Sequence, residues 1–248
     1  MSKVKIISWN ANGIRTRIKN KDTDPIFEAE PDIILFQETK AEYEKMTKKF
    51  LNECGYNTYF LKGETQRTGG LATFTKETPK IVKRFFNESE DALGRASVLE
   101  FNDFTLVHVY GPAGTGNKAK LEEKWAYFNA LLEFAKKVAD KDVIIAGDFN
   151  IAHTENDIFD LDTKVTFKEE ERKVLDELEA LGFVDAFRLF NDDKAYSSWK
   201  TQEAKDNNEG ARLDYFFVSK SLKDSVKSSD ILVDIDSAKH APIELIIE

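Results

Sequence analysis

Cysteine is nearly absent. Cys54 stands alone in 248 residues, so no internal disulfide can form and zinc sites built from several thiolates are excluded. Any metal must therefore sit on oxygen or histidine ligands, and there are only three histidines. Long apolar runs are missing too. None approaches the ~18 residues of a membrane span, and Met1-Ser2-Lys3 leads into a β-rich run rather than a signal-peptide core. The expectation is a cytoplasmic chain with no membrane attachment. Positive charge is in short supply: 36 Lys and Arg face 45 Asp and Glu, for a net charge of −9. Nucleic-acid binders usually carry a basic surface, yet a basic rim can coexist with an acidic remainder, and carboxylates around a metal would absorb part of the excess. The 5 prolines and 12 glycines are scattered at turns, and no repeat, low-complexity tract or linker divides the chain.

What is present points to one globular unit over residues 1–248, because 41% hydrophobic and 33% charged residues are ordinary for a folded chain. Short β-rich runs recur at Val4–Ser8, Ile33–Gln37, Thr58–Leu61, Leu71–Thr75, Ser97–Phe101, Thr105–Tyr110, Val143–Ala146, Leu213–Val218 and Ile243–Ile247. Between Lys118 and Ala139, the apolar residues Leu121, Trp125, Phe128, Leu132 and Ala135 recur at helical spacing and predict one buried face. A second helix is predicted over Lys168–Leu181, with Val174, Leu175, Leu178 and Leu181 inward and Gly182 as its stop. A third covers Ala41–Asn52. Strands in pairs, interrupted by a few long helices, predict a four-layer α/β sandwich of two packed, mostly antiparallel sheets flanked by helices.

Several apolar strands end in acids or amides: Ile6-Ile7-Ser8-Trp9-Asn10, Ile33-Ile34-Leu35-Phe36-Gln37-Glu38 and Val143-Ile144-Ile145-Ala146-Gly147-Asp148. On an extended Asp148-Phe149-Asn150, side chains two apart point the same way, so Asp148 and Asn150 can share a site while Phe149 packs. His108 alternates with Tyr110 on a strand and is expected to be a partnered core residue. His153 is expected to make a structural hydrogen bond.

Four segments carry a specific resemblance: Ser8-Trp9-Asn10-Ala11-Asn12-Gly13, Gln37-Glu38-Thr39-Lys40, Gly147-Asp148-Phe149-Asn150-Ile151-Ala152-His153 and Arg212-Leu213-Asp214-Tyr215. In that order they resemble the signatures of the exonuclease III and abasic endonuclease family. Further matching stretches are Gly69-Gly70-Leu71-Ala72, Gly94-Arg95, Gly182-Phe183-Val184-Asp185-Ala186-Phe187-Arg188 and His240-Ala241-Pro242. The resemblance spans nearly the whole chain. It implies a deoxyribonuclease I-like fold and a metal-dependent phosphodiesterase acting, as a monomer, on double-stranded DNA at abasic sites or 3′ ends.

It also implies roles. Glu38, with Asn12, would hold Mg²⁺, or Mn²⁺ in its place, to neutralise the scissile phosphate. Asp148 would align and deprotonate the attacking water, with Asn150 beside it. His240, oriented by Asp214, would donate to a phosphate oxygen. Tyr110 would offer its hydroxyl to the same phosphate or to the leaving oxygen, and Asn10 would buttress Asp148 or the phosphate. Arg95, Ser198, Trp199 and Ala211 would face substrate. Arg15, Arg17, Lys19, Lys21 and Arg67, with Arg95, would supply a basic rim for DNA.

Departures from the family pattern fall mostly where substrate would lie. Tyr110-Gly111-Pro112 is followed by Ala113 instead of asparagine. Ser198 stands where an aromatic is expected, and Ala211 replaces a bulky residue. The usual Ser-Asp-His triplet reads Ala238-Lys239-His240. Lys239 either brings a positive charge to the site or faces solvent. Two other readings stay open: a superfamily phosphodiesterase with another nucleic-acid or small phosphoester substrate, and a catalytically silent DNA-binding paralogue.

Overall fold

The computed structural model describes residues 2–65, 68–83, 94–161, 166–235 and 239–248. The described strands are β1 (Val4–Asn10), β2 (Ile33–Gln37), β3 (Asn57–Leu61), β4 (Leu71–Thr75), β5 (Ile81–Lys83), β6 (Ala96–Glu100), β7 (Thr105–Tyr110), β8 (Val143–Asp148), β9 (Phe183–Asp185), β10 (Asp214–Ser219), β11 (Val226–Ile231) and β12 (Ile243–Ile247). The helices are α1 (Ile14–Asn20), α2 (Asp24–Glu28), α3 (Lys48–Glu53), α4 (Lys118–Val138), α5 (Glu169–Ala180) and α6 (Gln202–Asp206). Among the described residues, no helix is long and apolar enough to cross a membrane.

The strands form two sheets, in the orders β11-β12-β1-β2-β4-β3 and β5-β6-β7-β8-β10-β9. Each sheet has one parallel pair at its centre, β1 with β2 and β7 with β8, and antiparallel pairs elsewhere. The connectivity is the same in both. A helical crossover links the parallel pair, the chain runs out to an edge strand, and it returns between that edge and the centre. Thus β1-β2-β3-β4 is repeated in topology as β7-β8-β9-β10, although no repeat is visible in the sequence.

Side-chain alternation explains why these strands read as unbroken apolar runs: both of their faces are covered. Ile6, Leu35, Leu106, Ile144, Phe216 and Leu245 fill the space between the sheets. The alternate residues Ile7, Trp9, Ile34 and Phe36 face outward against Ile14 of α1 and Ile26 of α2. On the opposite flank, Val107, Val109 and Ile145 meet Phe128 and Leu131 of α4 and Val174 and Leu175 of α5. Each such aliphatic or phenyl side chain stabilises the fold by about 1.5–3 kcal/mol on burial. These are the four layers expected.

Three differences are informative. The predicted helix over Ala41–Asn52 is instead a single tight turn at Tyr43–Lys45 followed by α3, because the Thr47 hydroxyl accepts from Phe50 N at 3.3 Å and starts a new helix there. In α4 the buried face is Lys124, Tyr127, Phe128, Leu131 and Ala135, with Trp125 and Leu132 only partly buried. A lysine enters that face because it is paired: its ammonium lies 2.6 Å from Glu171 Oε1. The strands β5, β9 and β11 and the helices α1, α2 and α6 were not anticipated, being short or lacking an apolar period.

Candidate active site

The carboxyl ends of both parallel pairs open on the same seam. Asn10 closes β1, Glu38 follows β2, and Tyr110 and Asp148 close β7 and β8. At the strand ends, Asn10 Nδ2 donates to Asp148 Oδ2 at 2.8 Å, and the Tyr110 hydroxyl donates to Glu38 Oε1 at 2.6 Å, both across the seam between the sheets. Each joins the first parallel strand of one sheet to the second of the other. Strand register places Asp148 beside Tyr110 on one side and beside Asp214 on the other.

Asp148 is fully buried. Its Oδ1 accepts from Asn150 N at 2.8 Å and its Oδ2 from Asn150 Nδ2 at 3.3 Å. Asn150, with φ 52°, also donates to Gly111 O at 2.9 Å. Burial, reinforced by the charge of Asp214, pushes the Asp148 carboxyl up to about 7 against the pull of His240 and the Asn10 amide. His240 Nδ1 lies 2.8 Å from Asp214 Oδ2, which also accepts from the Ser197 hydroxyl at 2.6 Å. Burial lowers the imidazole pKa, but the negative charges of Asp214 and Asp148 outweigh it and raise it to about 9. At neutral pH the histidine is therefore a cation whose Nε2 faces Ser198 Oγ at 3.1 Å. The side chains of Asp148, Asp214 and His240 converge within 4.8 Å of one another.

A second focus lies beside it. The Lys40 ammonium bridges Asn12 Oδ1 and Glu38 Oε2, the latter at 3.2 Å. Two oxygens thus converge on one cation, which is the donor chemistry of a hard divalent ion. Burial opposes ionisation of Glu38, yet the Tyr110 hydrogen bond and Lys40 together leave its carboxyl below the ordinary value. Asn12, Glu38 and Lys40 have φ of 47°, 48° and 49°. Left-handed backbone costs of order 1–3 kcal/mol per residue and gathers at functional sites.

Ser198, Trp199 and Ala211 line one cleft of about 740 Å³ with Phe159, Leu161 and Lys239. Lys239 is exposed at its rim, and its carbonyl accepts from Trp199 N at 2.8 Å. The Arg95 guanidinium lies 4.6 Å from the Tyr110 ring centroid. Of the basic rim, Arg15, Lys19 and Lys21 are exposed, and Arg67 lies outside the described residues, as does Ala238. Arg17 is not a free cation: it donates to Ala11 O at 3.0 Å and pairs with Asp22 at 2.9 Å, so it braces the Asn10–Asn12 turn. His108 is buried between Gln37 Nε2 at 2.7 Å and Thr73 Oγ1 at 2.9 Å, and burial drives its pKa down to about 3. His153 bonds Asp176 at 2.8 Å. Sequence reasoning gave no role to Lys40, Ser197 or Lys124, although Lys40 lies within a quoted motif.

A buried proton acceptor, a cationic histidine and an oxygen-lined cation seat gathered at the same strand ends are the parts that phosphoester hydrolysis requires. Fold and site define a phosphoester hydrolase. The chain belongs to the Endonuclease/Exonuclease/phosphatase family, whose model matches residues 7–237. It is 33% identical to an exodeoxyribonuclease of Bacillus subtilis over 253 residues, covering 98% of this chain and 99% of the relative. It is 32% identical over 260 residues to a DNA-(apurinic or apyrimidinic site) endonuclease of Dictyostelium discoideum, covering 100% of this chain and 71% of the relative. The structure of an AP endonuclease from Archaeoglobus fulgidus has the same fold, with TM-score 0.89 at 22% identity over 99% of both chains. So does a 3′-5′ exonuclease from Neisseria meningitidis, with TM-score 0.88 at 23% identity over 98% of this chain and 99% of that one.

Proposed function

We propose that this chain is a divalent-metal-dependent DNA-repair nuclease of the cytoplasm, resembling exonuclease III. It would hydrolyse the phosphodiester 5′ to abasic sites in double-stranded DNA, leaving a 3′-hydroxyl, and trim 3′ ends. One observation carries the reading: Asp148, buried and poised to exchange a proton near neutrality, sits within reach of a histidine held as a cation. Asp148 takes the proton of the attacking water, while Asn10 and Asn150 fix its two oxygens. His240 donates its Nε2 proton to a non-bridging phosphate oxygen, and Asp214 holds the ring and its charge. The Tyr110 hydroxyl is committed to Glu38, so its first task is to orient that carboxylate.

Glu38 and Asn12 fit Mg²⁺ or Mn²⁺, because both oxygens already converge on a cation. A bound ion would neutralise charge on the phosphate. In this reading Asp148, Asp214 and His240 serve proton transfer, with the His240 ring already held by Asp214 at 2.8 Å. The roomy cleft beside His240, with Ser198 and Ala211 in place of bulky groups, favours acceptance of an intact 3′-terminal nucleotide alongside the abasic sugar.

The test is a labelled duplex with one abasic analogue and a second with a recessed 3′ end, each with Mg²⁺ and with EDTA. Incision or resection of DNA only with metal is expected. Activity confined to small phosphoesters, or undiminished in EDTA, would refute the reading.

A further inference from the structure

Helix α4 carries two polar side chains on its inward face, and both are fastened to backbone carbonyls of the site's own loops. The Tyr127 hydroxyl donates to Arg95 O at 2.9 Å. Lys124, whose side chain has no exposed surface, reaches Glu171 Oε1 of α5 at 2.6 Å, Ala113 O at 3.4 Å and Asn150 O at 3.4 Å. An ammonium has three hydrogens to donate, and here three acceptors surround it. One belongs to the segment that follows Tyr110, another to Asn150 beside Asp148.

The same two segments are tied directly by Asn150 Nδ2 to Gly111 O at 2.9 Å and Gly111 N to Asp148 O at 2.7 Å. The chain also makes room for the lysine. Gly114 has φ +69°, and a Cβ there would meet Lys124 Cδ at 2.6 Å.

We propose that Lys124 is a positioning residue of this reaction: its ammonium, held by Glu171, clamps the segment after Tyr110 to the Asp148–Asn150 turn and so fixes where the proton acceptor stands. The proposal rests on the nuclease reading for its kinetic consequence, but the clamp can be tested without it.

Lys124→Met alone strands the buried Glu171 carboxylate and destabilises the whole fold. The informative variant is Lys124→Met/Glu171→Leu, because replacing both members of a buried ion pair by apolar groups is often neutral for stability. It leaves the carbonyls of Ala113 and Asn150 without their donor. With Mg²⁺ and an abasic duplex, kcat should fall roughly tenfold or more, since misplacement by about 1 Å can cost on the order of 10²-fold. KM should stay within about twofold, because substrate contacts are untouched. A folded double variant with wild-type kcat, or one changed only in KM, would overturn the clamp.

Amide hydrogen exchange reads the clamp independently of activity. The Gly111 and Asn150 amides are bonded to Asp148 in the wild-type chain, and they should exchange at least several-fold faster in the folded double variant; rates unchanged from wild type would also overturn the clamp. If the wild type cleaves no DNA while those amides exchange faster in the double variant, the nuclease reading fails and the clamp stands.

Discussion

The side-chain amide of Asn10 donates to Asp148 Oδ2 at 2.8 Å across the junction of the two sheets. That donor favours the ionised carboxylate and opposes the upward push of burial. Asp148 must be ionised to accept a proton, so kcat/KM should be lost as pH falls through about 7. His240 must be protonated to donate, so it should be lost again as pH rises through about 9. Asn10→Ala removes the donor, raises the Asp148 pKa further and should move the acidic limb to higher pH. An acidic limb unmoved in that variant would show that the amide does not govern the carboxylate.

Lys40 bridges Glu38 and Asn12, the two residues proposed to hold the divalent ion. Lys40→Met removes a like charge from that seat. Binding of Mn²⁺, followed by titration calorimetry, should tighten roughly threefold to tenfold, the range that on the order of 1 kcal/mol of repulsion produces. Unchanged or weaker binding would mean that Lys40 assists the metal instead of competing with it.

Ala211 packs against Ala152, Ile158 and Leu213 at the floor of the cleft and pairs with Ser198 through main-chain hydrogen bonds. Ala211→Trp should narrow the pocket and raise the preference for an abasic over an intact nucleotide, by roughly 10- to 200-fold for a contact worth about 1–3 kcal/mol. The ratio of the two kcat/KM values measures it. An unchanged ratio would place residue 211 away from substrate.

Arg212 is fully buried, bonded to Asp157 at 2.6 Å and to Asp185 at 3.1 and 2.6 Å, while Arg188 also meets Asp157 at 2.5 Å. This network joins the segments carrying Phe183–Asp185 and Arg212–Asp214. Arg212→Met leaves Asp185 buried without its partner and should cost about 3–5 kcal/mol, the range for breaking a buried pair. Denaturant unfolding would read it, and a loss under ~1 kcal/mol would contradict the account.

The nine strands anticipated from β-rich runs are all present within two residues at either end, and all but the edge strand β3 are largely covered by apolar neighbours. β5 was missed because Ile81, Val82 and Lys83 form an exposed edge, and β11 because Val226–Ile231 is largely polar. The motif residues Asn10, Glu38, Tyr110, Asp148, Asp214 and His240 do converge, since strand ends stay legible as an apolar run followed by a polar residue. The sequence could not show that the Tyr110 hydroxyl serves Glu38, or that Lys124 is buried. Both depend on partners 72 and 47 positions away. The twofold repeat of sheet topology was equally silent, because hydrogen-bonding order leaves no trace in residue type.

The most direct measurement pairs wild type with Asp148→Asn on an abasic duplex in Mg²⁺, under single turnover at pH 8. The substitution keeps the size of the side chain and removes its proton affinity. Cleavage by the variant should fall by roughly 10²–10⁴-fold, as for loss of a general base, with unfolding temperature and DNA affinity little changed. A folded variant cleaving within about threefold of wild type would contradict the assignment of Asp148 as the proton acceptor.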